Sequence, residues 1–203
     1  MLRSGPVSDR PFGAFAAKLS IVMALSVTIA AVMLLLVVAV IAVLQIRRRS
    51  LRAQASAGLR RRMLHLAPAE IGLSPAPGEP WGIVMDMTHA QGSASVISIV
   101  DGSASLYFSR GGGVIGGQDA ASAARSFVEL ATTFLSKLGP PPDESLPQPG
   151  YTRFFVLTTE AKRFAEAPEE ALRSGKHDLS PLYYAGLNVI NELRLISKAG
   201  KRP

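Results

Sequence analysis

The stretch WGIVMDMTHAQGSASVISIVDGSASLYF, residues 81–108, decides the fold of the chain. Apolar side chains recur at every second position of Trp81–Met87, which is the period of a strand with one buried face. Ser93–Val100 is rich in β-branched residues, and Asp101-Gly102 joins it to Ser105–Phe108, a combination typical of a β-hairpin. We therefore expect three consecutive antiparallel strands.

The residues after this stretch predict two helices and two further strands. Asp119–Leu138 places apolar side chains at helical spacing and ends at Gly139. Tyr151–Thr159 and Lys162–Ala167 have the composition of strands, and Ser180-Pro181 is typical of the start of a last helix. The order β-β-β-α-β-β-α predicts an α+β fold, namely a small two-layer domain with an antiparallel sheet and two helices on one face. The other face of the sheet is expected to have no helix over it.

An uncharged run from Leu19 to Ile46 precedes this domain. Its central part, Ile21–Leu44, would form a helix of roughly 36 Å, which exceeds the hydrocarbon thickness of about 30 Å. A cleaved signal peptide has an apolar core of only about 7 to 15 residues and a small-residue cleavage site. A buried helix of a soluble protein seldom runs so far without a charge. The sequence therefore predicts a single N-terminal transmembrane helix over residues 19–46.

Basic residues flank this run unequally. Three precede it, and seven follow it closely: Arg47, Arg48, Arg49, Arg52, Arg60, Arg61 and Arg62. This bias predicts a single-pass protein of the cell inner membrane whose C-terminal domain is cytoplasmic. The seven arginines are predicted to lie at the membrane surface, with the lipid bilayer and its anionic headgroups as partners. Their segment is either an amphipathic helix or a solvated stretch that only sets orientation.

These patterns divide the chain into six segments. They are a short N-terminal tail (1–18), the transmembrane helix (19–46), a basic juxtamembrane segment (47–66), a Pro/Gly-rich linker (67–80), the α+β domain (81–197) and a basic tail (198–203).

The formal net charge of +7 is not spread evenly along the chain. Residues 1–80 carry all of the excess, the predicted domain is slightly acidic, and the last residues are basic again. A nucleic-acid-binding domain needs a basic face on its folded part. The distribution therefore argues against nucleic acid as a partner.

Residues 110–117, RGGGVIGG, form the most unusual string of the domain. It fits G-x-G-x-x-G formally, but no second parallel strand ending in an acidic residue follows, and Gln118-Asp119 stands where a Walker motif needs Lys-Ser/Thr. Two interpretations stay open. The glycines either serve a turn and a close approach, or their backbone N–H groups form an anion nest. The candidate anion- or ligand-binding residues are Arg110, Gly111, Gly112, Gly113, Gly116 and Gly117.

No group of residues predicts a catalytic, metal or cofactor site. The histidines, His65, His89 and His177, have no further His or Cys at ligand spacing. Asp86, His89 and Ser109 can be combined into a triad only on paper, because no nucleophile motif surrounds Ser109. Asp86 is expected to face solvent or a helix end. We predict no catalytic residue, no metal and no cofactor.

Three strings resemble an uncharacterised family of small bacterial domains: WGIVMDM, DGSASLYFSRGGGVIGG and LSPLYYAG. The resemblance covers about Trp81 to Ile196 and leaves the N-terminal run outside it. It implies a bacterial setting and a small α+β domain, and it implies no activity, cofactor or site residue.

The sequence favours a non-enzymatic module for protein interaction or ligand binding. Its expected docking surface is the sheet face without a helix, which a protein partner could cover. The alternative is a membrane-tethered enzyme, or an anion or nucleotide sensor, that uses the glycine-rich loop 110–117.

Overall fold

The computed structural model describes residues 33–35, 38–45, 47–48, 51 and 54–199. The chain divides into two compact units, residues 1–48 and residues 49–203. The described residues of the first unit are helical, and their side chains are exposed. The second unit contains the sheet, the remaining helices and the candidate site.

The transmembrane helix predicted over residues 19–46 is wrong for the part of the chain that the structure describes. No helix among those residues is both long enough and apolar enough to cross a membrane. The described helical residues of this range are 33–35 and 38–45, and the rest of it lies outside the described residues. The prediction rests on side-chain hydropathy alone.

One antiparallel sheet of six strands forms the centre of the second unit, as far as its described residues extend. Its strands are β1 (Pro80–His89), β2 (Gly92–Ile99), β3 (Ala104–Phe108), β4 (Gly113–Gly116), β5 (Tyr151–Thr158) and β6 (Lys162–Pro168). In space they lie in the order β4-β3-β2-β1-β5-β6, so β1 and β5 are the central pair. The predicted α+β class and antiparallel pairing are therefore confirmed.

The predicted strand order is wrong because it lacks β4, which lies within the glycine-rich string. β4 pairs antiparallel with β3, with Val114 opposite Leu106. Glycine has a low strand propensity, so side-chain pattern alone does not reveal this strand. A Cβ atom on Gly113 would lie 2.5 Å from the Leu106 carbonyl oxygen, so the close approach of the two strands requires glycine there.

The described residues of the second unit contain four α-helical segments. They are α1 (residues 54–65), α2 (Gln118–Thr132), α3 (Glu169–Arg173) and α4 (Ser180–Ala199). Helix α2 ends six residues before the predicted Leu138. The chain tightens there into 3-10 turns, in which the Lys137 N–H donates to the Phe134 carbonyl at 2.8 Å. Such tightening is common at helix C-termini.

The larger apolar core lies between one face of the sheet and helices α2, α3 and α4. Ile83 and Met85 of β1 are fully buried in it, beside Phe127 of α2. Helix α4 comes close to the sheet at Gly186, where an added Cβ atom would lie 2.5 Å from the Met85 methyl carbon. This face is the one that the sequence predicts to be covered by helices.

The opposite face of the sheet is covered as well, by α1, which corrects the predicted two-layer arrangement. The two predicted helices, α2 and α4, do lie together on one face. Met63 and Leu64 of α1 are buried in a second apolar cluster, together with Trp81, Val84, Ile97, Phe155 and Leu157. The chain returns from α1 to β1 through a 3-10 turn at Pro68–Ile71 and Gly72, whose φ is 76°. The sequence pattern places the basic segment at the membrane side and therefore does not predict its packing on the domain.

Candidate functional site

A buried aspartate lies at the centre of the sheet, on the face that α1 covers. Alternation along β1 places Asp86 on the same face as Val84 and opposite to Met85. Its side chain is 0% exposed, so the expectation that it faces solvent or a helix end is wrong. A carboxylate in this position is costly unless it is paired and hydrogen-bonded.

Arg60 of α1 provides that pairing. Its Nε donates to both carboxylate oxygens of Asp86, at 3.0 and 2.9 Å, and its Nη2 donates to Oδ2 at 2.6 Å. The Ser95 hydroxyl of β2 donates to Oδ1 at 2.5 Å. The guanidinium carbon of Arg60 also lies 5.5 Å from the centre of the Phe155 ring, a cation–π distance. These contacts fix α1 on the sheet at one position.

A row of polar side chains crosses the sheet at the level of Asp86. The strand register places Ser95 on one side of it and Arg153 on the other, followed by Tyr107 and Glu166 on the strands beyond. Arg153 pairs with Glu166 and donates to Asp143 Oδ1 at 2.7 Å. The row therefore places a second ion pair, Arg153–Glu166, between β5 and the β6 edge of the sheet.

The proline-rich connection between α2 and β5 lies against both arginines of this face. Arg60 Nη1 donates to the Glu144 carbonyl at 2.8 Å, and Arg153 Nη1 donates to the Ser145 carbonyl at 2.9 Å. The hydroxyl and the backbone N–H of Ser145, with Arg153, lower the pKa of Asp143 to about 2. The connection is therefore attached to the domain by charge-assisted hydrogen bonds.

The Glu144 carboxylate is paired on the outer side of α1. Lys162 Nζ contacts Oε1, and His65 Nε2 lies 2.8 Å from Oε2. Partial burial opposes ionisation of Glu144, but the hydrogen bond and charge of Lys162, with a contribution from His65, lower its pKa. Glu144 is thus a paired anion in the folded state.

A groove of about 490 Å³ runs beside this cluster, between α1, the β2–β3 end of the sheet and the connection to β5. Arg60 and Ser95, which both contact Asp86, belong to its lining. The lining residues are Gln54, Ser56, Ala57, Arg60, Arg61, Ser93, Ser95, Tyr107, Phe108, Ser109, Glu144, Ser145 and Leu146. We call this feature the α1 groove.

Most of the exposed surface of the α1 groove is apolar, although most of its lining residues carry a polar group. Tyr107 is half-buried, Phe108 is 37% exposed and Leu146 is 40% exposed. Ser109 Oγ accepts the backbone N–H of Ser93 at 2.8 Å. Concave sites of this size and composition are typical of small-molecule binding.

The predicted glycine site is divided between two places. Gly111 and Gly112, with φ of 90° and 92°, form the turn between β3 and β4, where the Phe108 N–H donates to the Gly112 carbonyl at 3.1 Å. Gly113 and Gly116 are the first and last residues of β4. Gly117 caps α2 at the far end of that strand.

Arg110 and the start of α2 are consequently not brought together. The Arg110 side chain lies at the β1–β2 turn, its Cγ 3.6 Å from the place where a Cβ of Gly92 would stand. Gly116 and Gly117 instead line a second groove of about 260 Å³ with Arg125. The Arg125 guanidinium there donates to the Asp101 carbonyl at 2.8 Å. The anion nest stays a prediction.

The arginines assigned to the membrane surface lie in different environments. The side chain of Arg60 is 11% exposed within the domain, whereas Arg61 and Arg62 are exposed on α1. Arg47 and Arg48 are exposed in the first unit, and Arg49 and Arg52 lie outside the described residues. Contact of these residues with headgroups stays a prediction.

The side chains considered for a triad have separate partners. Asp86 is held by Arg60, Ser109 accepts from the Ser93 backbone, and His89 Nδ1 lies 3.3 Å from Glu169 Oε2. Glu169 also accepts a hydrogen bond of 3.1 Å from the buried Tyr183 hydroxyl, and burial, with the charge of Glu169, raises the pKa of Tyr183 to about 12. Within residues 54–199 and the shorter described segments, no group of three or more His, Cys, Asp or Glu side chains could hold a metal ion.

Comparison with known proteins gives no indication of function. No family model, curated protein or solved structure matches this chain.

Sequence reasoning missed the Asp86–Arg60 pair and the serines beside it. One signal was present: Asp86 stands between two buried methionines of a strand, and a lone acidic residue inside such a run predicts a paired buried charge. The sequence does not indicate which of 22 basic residues provides the partner.

Proposed function

We propose that this chain is a small-molecule-binding module and that the α1 groove is its site. The observation that carries the proposal is a groove of about 490 Å³ beside a buried, fully paired ion pair. Ligand sites of proteins are mostly preformed clefts of about 300–1,000 Å³ with apolar walls and a few placed polar groups.

The fixed position of α1 supports a preformed site. Three hydrogen bonds from Arg60 to Asp86 and the burial of Met63 and Leu64 hold the helix on the sheet. The connection between α2 and β5 is held against Arg60 by the carbonyl groups of Glu144 and Ser145, which accept hydrogen bonds from its guanidinium. Because these contacts already hold the walls in place, binding costs little conformational entropy.

Binding is favoured over catalysis because the reactive groups at the groove are already engaged. Ser95 donates its hydroxyl proton to Asp86, and both oxygens of Asp86 accept from Arg60. A nucleophile requires a nearby base that can take its proton. Asp86, the nearest carboxylate to Ser95, is occupied by a guanidinium. The alternative of an enzyme or sensor at loop 110–117 stays a prediction.

The proposal differs from a protein partner on the sheet face, because α1 occupies that face in the described residues. A protein would have to displace α1 or contact another surface. Interaction with a protein, or with anionic headgroups, stays a prediction.

The test is a titration of the full chain with N-phenyl-1-naphthylamine, an uncharged amphipathic dye whose emission rises in apolar sites. Ala57→Trp places a large side chain on an exposed, groove-lining position of α1. Leu59→Trp is the matched control, since Leu59 is 46% exposed on the same helix and does not line the groove. We expect Leu59→Trp to bind as the wild type does and Ala57→Trp to lose about tenfold or more in affinity, a change of about 1.4 kcal/mol.

Thermal unfolding measures dye binding by the wild type, Ala57→Trp and Leu59→Trp independently of fluorescence. A ligand that binds only the folded state raises its stability, by about 2.7 kcal/mol at a hundred times its Kd. The dye should raise the Tm of the wild type and of Leu59→Trp, and not that of Ala57→Trp. Equal binding by all three proteins, or no binding by the wild type, would contradict the proposed function.

A further inference from the structure

We infer that the α1 groove selects amphipathic anions and that Arg61 receives their anionic group. The inference rests on the proposed function and adds the charge class of the ligand and a specificity-determining residue. It follows from the balance of charge around the groove.

Each acidic group at the groove has a basic partner. The carboxylate of Asp86 is held by Arg60, and the carboxylate of Glu144 contacts Lys162 and lies 2.8 Å from His65 Nε2. The guanidinium of Arg60 is itself held between Asp86 and the connection, since it also donates to the Glu144 carbonyl. These groups therefore cancel and leave no acidic acceptor for a ligand cation.

Arg61 is the remaining charge of the lining. It follows Arg60 on α1, its side chain is exposed, and it makes no hydrogen bond or ion pair with any residue that the structure describes. A guanidinium offers five N–H donors in a planar fork that matches a carboxylate, sulfonate or phosphate. The uncompensated charge of the groove is thus positive and is placed on a group suited to anions.

The opposite wall provides room and apolar surface for the body of such a ligand. Tyr107 lies across from Gly113 in the β3–β4 register, and a Cβ atom on Gly113 would stand 2.9 Å from the Tyr107 ring. The absence of a side chain at Gly113 therefore admits the ring at this position. Tyr107, Phe108 and Leu146 all line the groove and give it apolar surface suited to an aromatic or short alkyl group.

The occupant we propose is a free, soluble organic acid of drug-like size. A volume of about 490 Å³ suits a single compact molecule. The same anionic chemistry occurs in phospholipid headgroups, which would present it from a bilayer instead. The experiment therefore contains an arm for each source.

The central experiment compares two dyes that differ by one sulfonate: 1-anilinonaphthalene-8-sulfonate and N-phenyl-1-naphthylamine. Both are titrated into the full-length wild type, Arg61→Gln and the matched control Arg62→Gln, whose arginine is exposed on α1 outside the groove lining. We expect Arg61→Gln to weaken the sulfonated dye about fivefold, the upper range for an exposed ion pair. Arg62→Gln should leave it unchanged, and neither variant should change the uncharged dye.

Two results would overturn the inference. One is an equal effect, or no effect, of the two arginine variants on the sulfonated dye; the other is an equal loss of both dyes in Arg61→Gln. If Ala57→Trp still removes both dyes, the groove remains a binding site and only anion selection fails. If Ala57→Trp removes neither dye, the proposed function itself fails.

The lipid source is tested by flotation with vesicles of phosphatidylcholine and phosphatidylglycerol. For a free acid as ligand, flotation of the full chain should be the same for the wild type and for Ala57→Trp. Flotation that is lost in both Ala57→Trp and Arg61→Gln, but kept in Leu59→Trp and Arg62→Gln, would assign the groove to a headgroup and contradict the soluble source.

Discussion

The two faces of the sheet are packed by different chemistry. The face under α2 and α4 is mostly apolar and has no buried ion pair at its centre, with Ile83, Met85 and Phe127 fully buried. The face under α1 has a smaller apolar cluster at one end and the Asp86–Arg60 pair at its centre. Apolar packing provides most of the stability of a domain but little direction. The ion pair instead fixes one position for α1, and the α1 groove lies beside it.

The largest expected loss of folding stability comes from a substitution on the face under α2 and α4. Phe127→Ala removes a fully buried ring of α2, and we expect it to lower the free energy of unfolding by about 4 kcal/mol, through lost burial and the cavity that remains. Chemical unfolding measures the loss. The dye affinity of the folded fraction should stay at the wild-type value, because Phe127 does not contact the groove. A parallel fall in affinity would show that the two faces are not independent.

The second effect tests the ion pair on the other face. Asp86→Leu leaves the buried Arg60 guanidinium without its acceptor, and we expect a loss of about 3 kcal/mol. The double variant Arg60→Met/Asp86→Leu should recover most of it, since an apolar pair of similar volume often replaces a buried ion pair at little cost. Chemical unfolding of the wild type, both single variants and the double variant measures the coupling. A double variant as unstable as Asp86→Leu would contradict the assigned pairing.

A third prediction compares two serines of β2 that point to opposite faces. Ser95 donates to Asp86, whereas Ser98 is 0% exposed and its hydroxyl has no partner among the described residues. Ser95→Ala should cost about 1.5 kcal/mol, the lower range for a hydrogen bond to a charged group. Ser98→Ala should be neutral or stabilising, because it removes a buried unsatisfied hydroxyl. Thermal unfolding measures both variants. Equal losses of stability in Ser95→Ala and Ser98→Ala would contradict the different roles of the two serines.

The smallest effect concerns the connection that borders the groove. The pKa of Asp143 is lowered from 3.8 to about 2, first by the Ser145 hydroxyl and then by the Ser145 N–H and Arg153. Because the folded pKa is the lower one, the stabilisation is present above about pH 4 and is lost as the pH falls through about 2. Carbon-13 NMR titration of Asp143 measures it, and Ser145→Ala should raise the pKa. If the pKa of Asp143 in the wild type lies at its ordinary value, the hydrogen bonds that join Asp143 to Ser145 and Arg153 would be contradicted.

Sequence patterns identified the parts of the fold that local chemistry determines. The β-branched composition of β2 and the Asp101-Gly102 turn predicted the β2–β3 hairpin, which the register confirms with Ile97 opposite Ser105. The short strand β4 was missed because glycine carries no side-chain pattern. Its pairing with β3 depends on backbone approach, which only the folded chain shows.

The α1 groove could not be predicted because it depends on contacts distant in sequence. Arg60 and Asp86 are separated by 26 residues, and the carbonyl groups of Glu144 and Ser145 lie more than 80 residues from Arg60. A cluster of arginines after an apolar run favours a membrane-surface assignment for each of them. Nothing in that pattern distinguishes Arg60, which is bound within the domain, from its neighbours Arg61 and Arg62.

The most direct test of the account is amide chemical-shift mapping of the full chain with N-phenyl-1-naphthylamine. We predict that the perturbed residues are those that line the α1 groove: Gln54, Ser56, Ala57, Arg60, Arg61, Ser93, Ser95, Tyr107–Ser109 and Glu144–Leu146. Residues of α2 and α4 on the opposite face should keep their shifts. Perturbations concentrated at Gly116, Gly117 and the start of α2, or the absence of any perturbation, would contradict the assignment of the α1 groove as the binding site.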